Sequence, residues 1–170
     1  MTQLIDCIQD DPGSRPDGSR PLSPNALLEV ALDLARDAST WRALARHDPA
    51  ERWFVRLAFN DCFDTWLIGW HARQGVDLHD HGGSAGALYV VEGELLETAM
   101  GFGGDSRLVE QRLTAGTARA FAPSHVHWIV NPTPRVATSV HVYSPPLSRM
   151  GFYELETDMT LRPRGSSPVP

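Results

Sequence analysis

The segment from Gly75 to Ala87 constrains the fold and the chemistry of this chain more than any other stretch. It reads Gly-Val-Asp-Leu-His-Asp-His-Gly-Gly-Ser-Ala-Gly-Ala, with His79 and His81 one residue apart. Side chains two positions apart on an extended backbone point to the same side, so the two imidazoles converge. Neutral imidazole is a good ligand for iron, zinc, copper and nickel. The pattern predicts a strand that carries part of a metal site, with two solvated loop histidines as the alternative.

The charge balance excludes several classes of partner. The 170 residues include 15 basic and 21 acidic side chains, which gives a net charge of −6. Because there is no basic run, we expect neither nucleic acid nor an anionic membrane surface as a partner. No apolar stretch approaches the roughly 20 residues of a membrane-spanning helix. With only two cysteines, Cys7 and Cys62, no disulfide framework is predicted. We expect a cytoplasmic protein that acts as a monomer.

The N-terminal third is predicted to be helical. Ser23 is a suitable N-cap and Pro24 suits a first turn, followed by apolar residues at helical spacing from Leu27 to Leu34. A shorter helix is predicted from Ser39 or Thr40 up to Asp48-Pro49. We expect residues 1–162 to form one domain, with a helical cap over about residues 1–50 and a β-barrel over 51–160. Residues 163–170 are predicted to be disordered.

Short alternating segments replace the helical period after Trp53. Several such strands follow one another, separated by turn residues and without intervening helices. Regularly spaced short strands are typical of a barrel or a double-sheet jelly roll. The sequence therefore predicts a mainly β fold with N-terminal α-helices.

A second histidine segment supplies candidates for a third metal ligand. Pro123-Ser-His-Val-His-Trp-Ile-Val-Asn131 contains His125 and His127 at a spacing of two. With this segment in view, the chain resembles a cupin. The first cupin motif corresponds to His79, His81, Gly86 and Gly93, and the second to Pro123, His127 and Asn131. The resemblance implies that His127 is the third ligand. It also places Gly86 where most cupins carry an acidic ligand.

Among cupins, a site with three histidines and no acidic ligand is similar to that of the thiol dioxygenases, and of the cysteine dioxygenase family in particular. The resemblance extends from about Leu27 to Tyr153. Its most specific part is Ser139-Val-His-Val-Tyr-Ser-Pro-Pro146, a Ser-x-His-x-Tyr row followed by Ser-Pro-Pro. It implies that Ser139, His141 and Tyr143 serve catalysis and that the Ser144–Pro145 bond is cis. A polar row buried in a barrel is the structural alternative.

The resemblance also implies the substrate-binding residues. Trp70 corresponds to a family position nine residues before the first ligand, and Arg56 to the arginine that pairs with the substrate carboxylate. The planar guanidinium of arginine can bind a carboxylate through two hydrogen bonds. A surface arginine without such a role is the alternative for Arg56. Tyr143 would hydrogen-bond the substrate carboxylate or the reacting oxygen.

The implied activity is oxidation of L-cysteine by O2 to cysteine sulfinic acid at one Fe(II) ion per chain, held by His79, His81 and His127. Two alternatives remain open. One is a sister thiol dioxygenase acting on 3-mercaptopropionate or a related thiol acid. The other is a cupin without catalytic activity that binds a metal or a small acid.

In animal relatives a cysteine forms a thioether with the tyrosine that corresponds to Tyr143. Gly86 stands at the position of that cysteine, so we expect Tyr143 to remain unmodified.

Overall fold

The computed structural model describes residues 21–100 and 107–170. Its first helix, α1, spans Pro24–Arg36, and the Oγ atom of Ser23 accepts a hydrogen bond from the backbone N–H of Ala26 at 3.3 Å. The predicted N-cap is therefore confirmed. Leu27 and Ala31 are fully buried in an apolar cluster with Ala85, Ala87 and Val142 of the adjoining sheet. The helix covers this sheet from outside. The part of the helical prediction that falls on residues 1–20 lies outside the described residues.

The second helix is shorter than predicted. α2 spans Ala38–Trp41 and begins where the Asp37 carboxylate accepts a hydrogen bond from the backbone of Ser39. Trp41 is buried against Leu67 and Val140. The chain then crosses the sheet, where the Arg46 carbonyl comes so close to Gly69 that a Cβ atom there would lie 1.8 Å away. The backbone from residue 42 onward is a turn followed by irregular structure, so the helix predicted up to residue 48 is wrong beyond Trp41.

Eleven strands lie within the described residues. They are β1 (Trp53–Phe59), β2 (Asp64–Trp70), β3 (Gly75–His79), β4 (Ala85–Glu92), β5 (Glu94–Met100), β6 (Leu108–Thr114), β7 (Ala118–Phe121), β8 (His127–Val130), β9 (Ala137–Ser144), β10 (Arg149–Leu155) and β11 (Leu161–Pro168).

The strands form two antiparallel sheets, which confirms the predicted mainly β jelly roll with N-terminal helices. One sheet has the order β1-β2-β9-β4-β7 and the other β11-β10-β3-β8-β5-β6. β9, central in the first sheet, is buried along its whole length. β3 and β8 are neighbours near the middle of the second. These strands carry the candidate site. The Ser144–Pro145 peptide bond that follows β9 is cis.

The C-terminal segment is ordered, so the prediction of disorder for residues 163–170 is wrong. β11 pairs with β10 from Leu161 opposite Leu155 to Pro168 opposite Arg149. Proline cannot donate a backbone hydrogen bond, but an edge strand tolerates it because one side of the strand has no partner. β11 is such an edge strand. Its last residues and the two that follow it reach the cavity described below.

In the two described ranges, no helix is long and apolar enough to cross a membrane. Cys62, which lies between β1 and β2, is buried and disulfide-bonded. Such a bond was not predicted from the two cysteines of the sequence.

Candidate metal centre and adjoining cavity

Three buried histidines converge between β3 and β8. His79 is the last residue of β3 and lies directly opposite His127, the first residue of β8, while His81 follows β3 by two positions. The ring centroid of His79 is 5.0 Å from that of His81 and 4.6 Å from that of His127. One ring nitrogen from each histidine lies within 4.8 Å of the others. The structure thus brings together the three residues predicted as ligands.

Hydrogen bonds fix which nitrogen is offered by two of the three rings. The Nδ1–H group of His79 donates to the Asp77 carbonyl at 2.7 Å, and that of His127 donates to the Glu97 carboxylate at 2.6 Å. Nε2 is therefore the nitrogen left with a free lone pair in both rings. His81 Nδ1 is buried and has no hydrogen-bond partner among the described residues. A metal-binding histidine is usually oriented by a hydrogen bond from its outer nitrogen, the ring nitrogen that does not bind the metal.

The three imidazoles are neutral. Burial lowers the pKa of His79 to about 3, and it lowers the pKa of His81 well below its ordinary value. Burial also lowers the pKa of His127, although the hydrogen bond to Glu97 acts in the opposite direction. Since only the unprotonated imidazole binds a metal, this triad is suited to hold a transition-metal ion.

The position of the usual acidic cupin ligand is closed. A Cβ atom at Gly86 would lie 2.3 Å from Cζ of Phe121 and 3.0 Å from Cδ1 of Tyr143. The Phe121 ring is stacked on His81, with ring centroids 4.7 Å apart. No side chain could enter from position 86 without displacing this ring. The protein ligands offered at this position of the fold are therefore the three histidines.

The predicted row on β9 is present and continuous. Trp70 Nε1 donates to Ser139 Oγ at 2.8 Å, Ser139 Oγ is 2.8 Å from His141 Nε2, and His141 Nδ1 is 3.1 Å from Tyr143 Oη. Burial lowers the pKa of His141 to about 3 and raises that of Tyr143 well above its ordinary value. Both groups are therefore neutral around pH 7.

A cavity of about 250 Å³ lies beside the triad. Trp70, His79, His127, His141 and Tyr143 all contribute to its wall. Most of the remaining wall is apolar. Examples are Phe54, Trp66, Ile129, Leu147, Met150 and Phe152, and residues 167–170 of the C-terminal segment complete it.

Arg52 also lines the cavity, although no sequence pattern indicated a role for it. Its guanidinium carbon lies 5.4 Å from the ring centroid of Trp70, and its Nε atom is buried without a hydrogen-bond partner among the described residues. Burial lowers the pKa of Arg52, but arginine remains charged in proteins. A half-buried cation with an unused donor, facing an apolar cavity, is suited to bind an anion.

Arg56, the predicted carboxylate-binding residue, is not among the residues that line the cavity. Its Nη2 donates to the Pro170 carbonyl, and its Nε lies 3.8 Å from the buried Asp64 carboxylate. The guanidinium carbon lies 4.5 Å from a ring centroid of Trp66. These contacts hold the guanidinium against Trp66 and the C-terminal segment.

A second buried cluster lies behind His127. Glu97, His125 and His127 are all buried, and both histidines donate to the same oxygen of Glu97. Burial alone would raise the pKa of Glu97, but the hydrogen bonds from His125 and His127 lower it to about 2. In the sequence, Glu97 could have been recognised as an acidic residue between Leu95 and Ala99, at the alternating positions of β5 that are buried.

The sequence and the fold were compared with those of known proteins. A sequence model of the family described as cysteine dioxygenase type I matches residues 26–155. Among solved structures, a protein of Thermus thermophilus is 23% identical, with 62% of this chain and 93% of that chain covered and a TM-score of 0.54.

Two further solved structures show the same fold. A cupin superfamily protein from Desulfitobacterium hafniense is 13% identical over 62% of this chain and 87% of that chain, with a TM-score of 0.50. A Klebsiella pneumoniae protein with a double-stranded β-helix domain is 19% identical over 75% of this chain and 90% of that chain, also with a TM-score of 0.50.

Proposed function

Because the chain belongs to the cysteine dioxygenase type I family, we propose that it is a non-haem Fe(II) thiol dioxygenase that converts L-cysteine and O2 to cysteine sulfinic acid. One observation carries the proposal above all: the histidine triad and the row on β9 meet at one cavity. Two residues of the triad, His79 and His127, and two of the row, His141 and Tyr143, line it. A protein that only binds a metal does not need such a row, which counts against the binding-only alternative.

The proposed ligands of Fe(II) are His79, His81 and His127. Three neutral imidazoles leave the double charge of the ion uncompensated, so an anionic thiolate is a favourable further ligand. When bound, the ion would promote ionisation of the substrate thiol and bring sulfur and O2 together. Both oxygen atoms end on the sulfur, which is oxidised as O2 is reduced, so the reaction needs no separate reductant.

Tyr143 is proposed to donate a proton into the cavity. Trp70 Nε1 is only a donor, so it uses one lone pair of Ser139 Oγ. The Ser139 hydroxyl can then donate to His141 Nε2, and His141 Nδ1–H can donate to Tyr143 Oη. In this arrangement the phenol proton is not used within the row. It is available to the substrate carboxylate or to a reacting oxygen.

Arg52 is proposed to bind the substrate carboxylate, in place of the Arg56 of the sequence analysis. It is the one arginine among the described residues that line the cavity, and its Nε has no other use there. A carboxylate bound by Arg52 would leave the thiol of a small substrate free to reach the histidine triad. Trp70, beneath the guanidinium, would limit its movement.

The cavity wall also favours a second candidate substrate. No aspartate or glutamate is found among the described residues that line it. The ammonium group of cysteine would therefore have no carboxylate partner, whereas 3-mercaptopropionate carries no such group. A thiol acid of this kind is the second candidate. The cytoplasmic location and the monomeric state remain predictions.

Oxygen uptake after anaerobic loading with Fe(II) tests the proposed function. Cysteine, cysteamine and 3-mercaptopropionate should be compared side by side, with equally treated His127→Ala protein as the control for iron-dependent oxidation in solution. We expect uptake coupled to sulfinate formation with a thiol that carries a carboxylate, above the control. The ratio of the uptake rates with cysteine and with 3-mercaptopropionate decides which of the two thiols is the preferred substrate. Uptake no faster than in the control with all three thiols would contradict a dioxygenase.

A further inference from the structure

Glu97 is fully buried on β5, yet it does not line the cavity. Its Oε1 atom accepts hydrogen bonds from His127 Nδ1 at 2.6 Å and from His125 Nε2 at 2.8 Å. Its Oε2 atom lies 2.7 Å from Nε of Arg119. One carboxylate oxygen is therefore hydrogen-bonded to the outer nitrogen of a proposed metal ligand, while the other forms an ion pair with Arg119 that lacks the geometry of a hydrogen bond.

The arrangement around Glu97 is held from several sides. His125 is buried and stacked on Phe121, with ring centroids 5.0 Å apart, and Phe121 in turn stacks on His81. The Arg119 side chain, on β7, donates a hydrogen bond to Gln111 of β6 in the other sheet. The position of Glu97 is thus fixed by groups that themselves have little freedom to move.

A carboxylate behind His127 has two physical effects. As an acceptor it requires a proton on Nδ1, which leaves the lone pair on Nε2 and fixes the plane of the ring. Its negative charge makes the imidazole a stronger donor to a cation. The charge matters here because Gly86 and Phe121 exclude a carboxylate from the ligand set itself.

We propose that Glu97 is a positioning residue of the metal centre. It fixes His127 for binding through Nε2 and supplies from behind the ring the negative charge that no acidic ligand supplies. Arg119 and His125 hold Glu97 in place. The inference rests on the proposed ligand set, but not on turnover of any thiol.

The metal-free wild-type protein gives the first test. In protein labelled with ¹⁵N in histidine, long-range ¹H–¹⁵N correlation NMR distinguishes the two tautomers of each ring. We expect His127 as the Nδ1–H tautomer. Finding His127 protonated on Nε2 instead would overturn the proposal, and this test does not depend on the folding of any variant.

The second test is the affinity for Co(II), measured by competition with a chromophoric chelator. Glu97→Gln keeps the size of the side chain and removes its charge. Loss of such an outer partner typically weakens metal binding by about 10–100-fold, and the visible spectrum of the bound Co(II) should also change. Glu94→Gln is the matched control, because Glu94 also lies on β5 and pairs with an arginine, Arg112, but has no histidine partner.

The outcomes separate positioning from a merely structural role. Wild-type Co(II) affinity and spectrum in Glu97→Gln, with or without a lower melting temperature, would overturn the proposal. Weakened binding in Glu97→Gln with unchanged binding in Glu94→Gln would support it. If the wild-type protein binds Co(II) as expected but its Fe(II) form oxidises no thiol, the proposed function fails while this inference stands.

Discussion

Gly86 lies beneath the ring of Phe121, so closely that a Cβ atom at position 86 would be 2.3 Å from Cζ of that ring. The same ring stacks on His81 and His125. At position 86 an acidic ligand is therefore not only missing, but its space is also taken by another residue. An aromatic ring fills the space and packs against the triad.

Gly86→Ala should destabilise the protein, because the Phe121 ring must move to accept the new methyl group. Inserting a methyl group into a packed core typically costs about 1–3 kcal/mol. Urea unfolding of the metal-free protein measures the change. In the double variant with Phe121→Leu the two costs should not add, with a coupling of about 0.5–3 kcal/mol for residues in contact. Strict additivity would contradict the packing described here.

Tyr143 should remain an unmodified phenol before and after repeated turnover. Gly86 lies directly opposite Tyr143 in the pairing of β4 with β9 and offers no thiol for a thioether. Peptide mass mapping of the reduced and digested protein is the measurement. A Tyr143 peptide that lacks two hydrogens, or that is joined to a second peptide, would show that this prediction is wrong.

Arg52→Met should impair the oxidation of cysteine and 3-mercaptopropionate far more than that of cysteamine, which has no carboxylate. Removing one partner of a buried charge pair typically costs about 2–5 kcal/mol, and kcat/KM for each thiol measures the loss. Arg56→Met is the matched control. This variant loses the contacts of Arg56 with Asp64 and Pro170, so we expect kcat/KM to change to a similar extent for all three thiols. The opposite pattern would restore Arg56 as the carboxylate-binding residue.

The buried His141 should make the stability of the metal-free protein depend on pH. Its pKa is lowered to about 3 in the folded state, against roughly 6.5 in an unfolded chain. Below pH 6.5 the unfolded state therefore binds a proton that the folded state does not, and the free energy of unfolding falls as the pH falls. The contribution is about 1.4 kcal/mol per pH unit between roughly pH 6 and pH 4.

His141→Gln removes this contribution while the other buried histidines remain. Urea unfolding at several pH values should give a shallower pH dependence for the variant than for the wild-type protein in that range. Parallel curves for the two proteins would mean that His141 is protonated equally in the folded and unfolded states, contrary to its burial.

Local chemistry made much of the fold predictable. Ser23 and Pro24 indicated the start of α1, and alternation indicated most strands. The period of two also placed Ser139, His141 and Tyr143 on one face, as observed. β11 could not be found in this way, because its prolines, glycine and serines lack the apolar alternation of a strand. It is stabilised by pairing with β10, which is not a local property.

The period of two does not distinguish Arg56 from Arg52 as the residue that would bind a carboxylate. Arg52, Phe54 and Arg56 are spaced two residues apart. Alternation therefore predicts that they lie on the same side of the chain, but it does not predict which of them reaches the cavity. Arg52 and Phe54 reach the cavity, while Arg56 meets the C-terminal segment farther along. That segment was predicted to be disordered, so its contact with Arg56 could not be anticipated. Glu97 was passed over because its role depends on His127, thirty positions away.

Isotope labelling under ¹⁸O₂ tests the central claim most directly. The Fe(II)-loaded protein would oxidise cysteine, or 3-mercaptopropionate if that thiol is preferred, and mass spectrometry would count the labelled oxygen atoms in the product. A thiol dioxygenase predicts a sulfinate in which both oxygen atoms carry the label. A product with at most one labelled oxygen, or with disulfide as the sole product, would contradict the account.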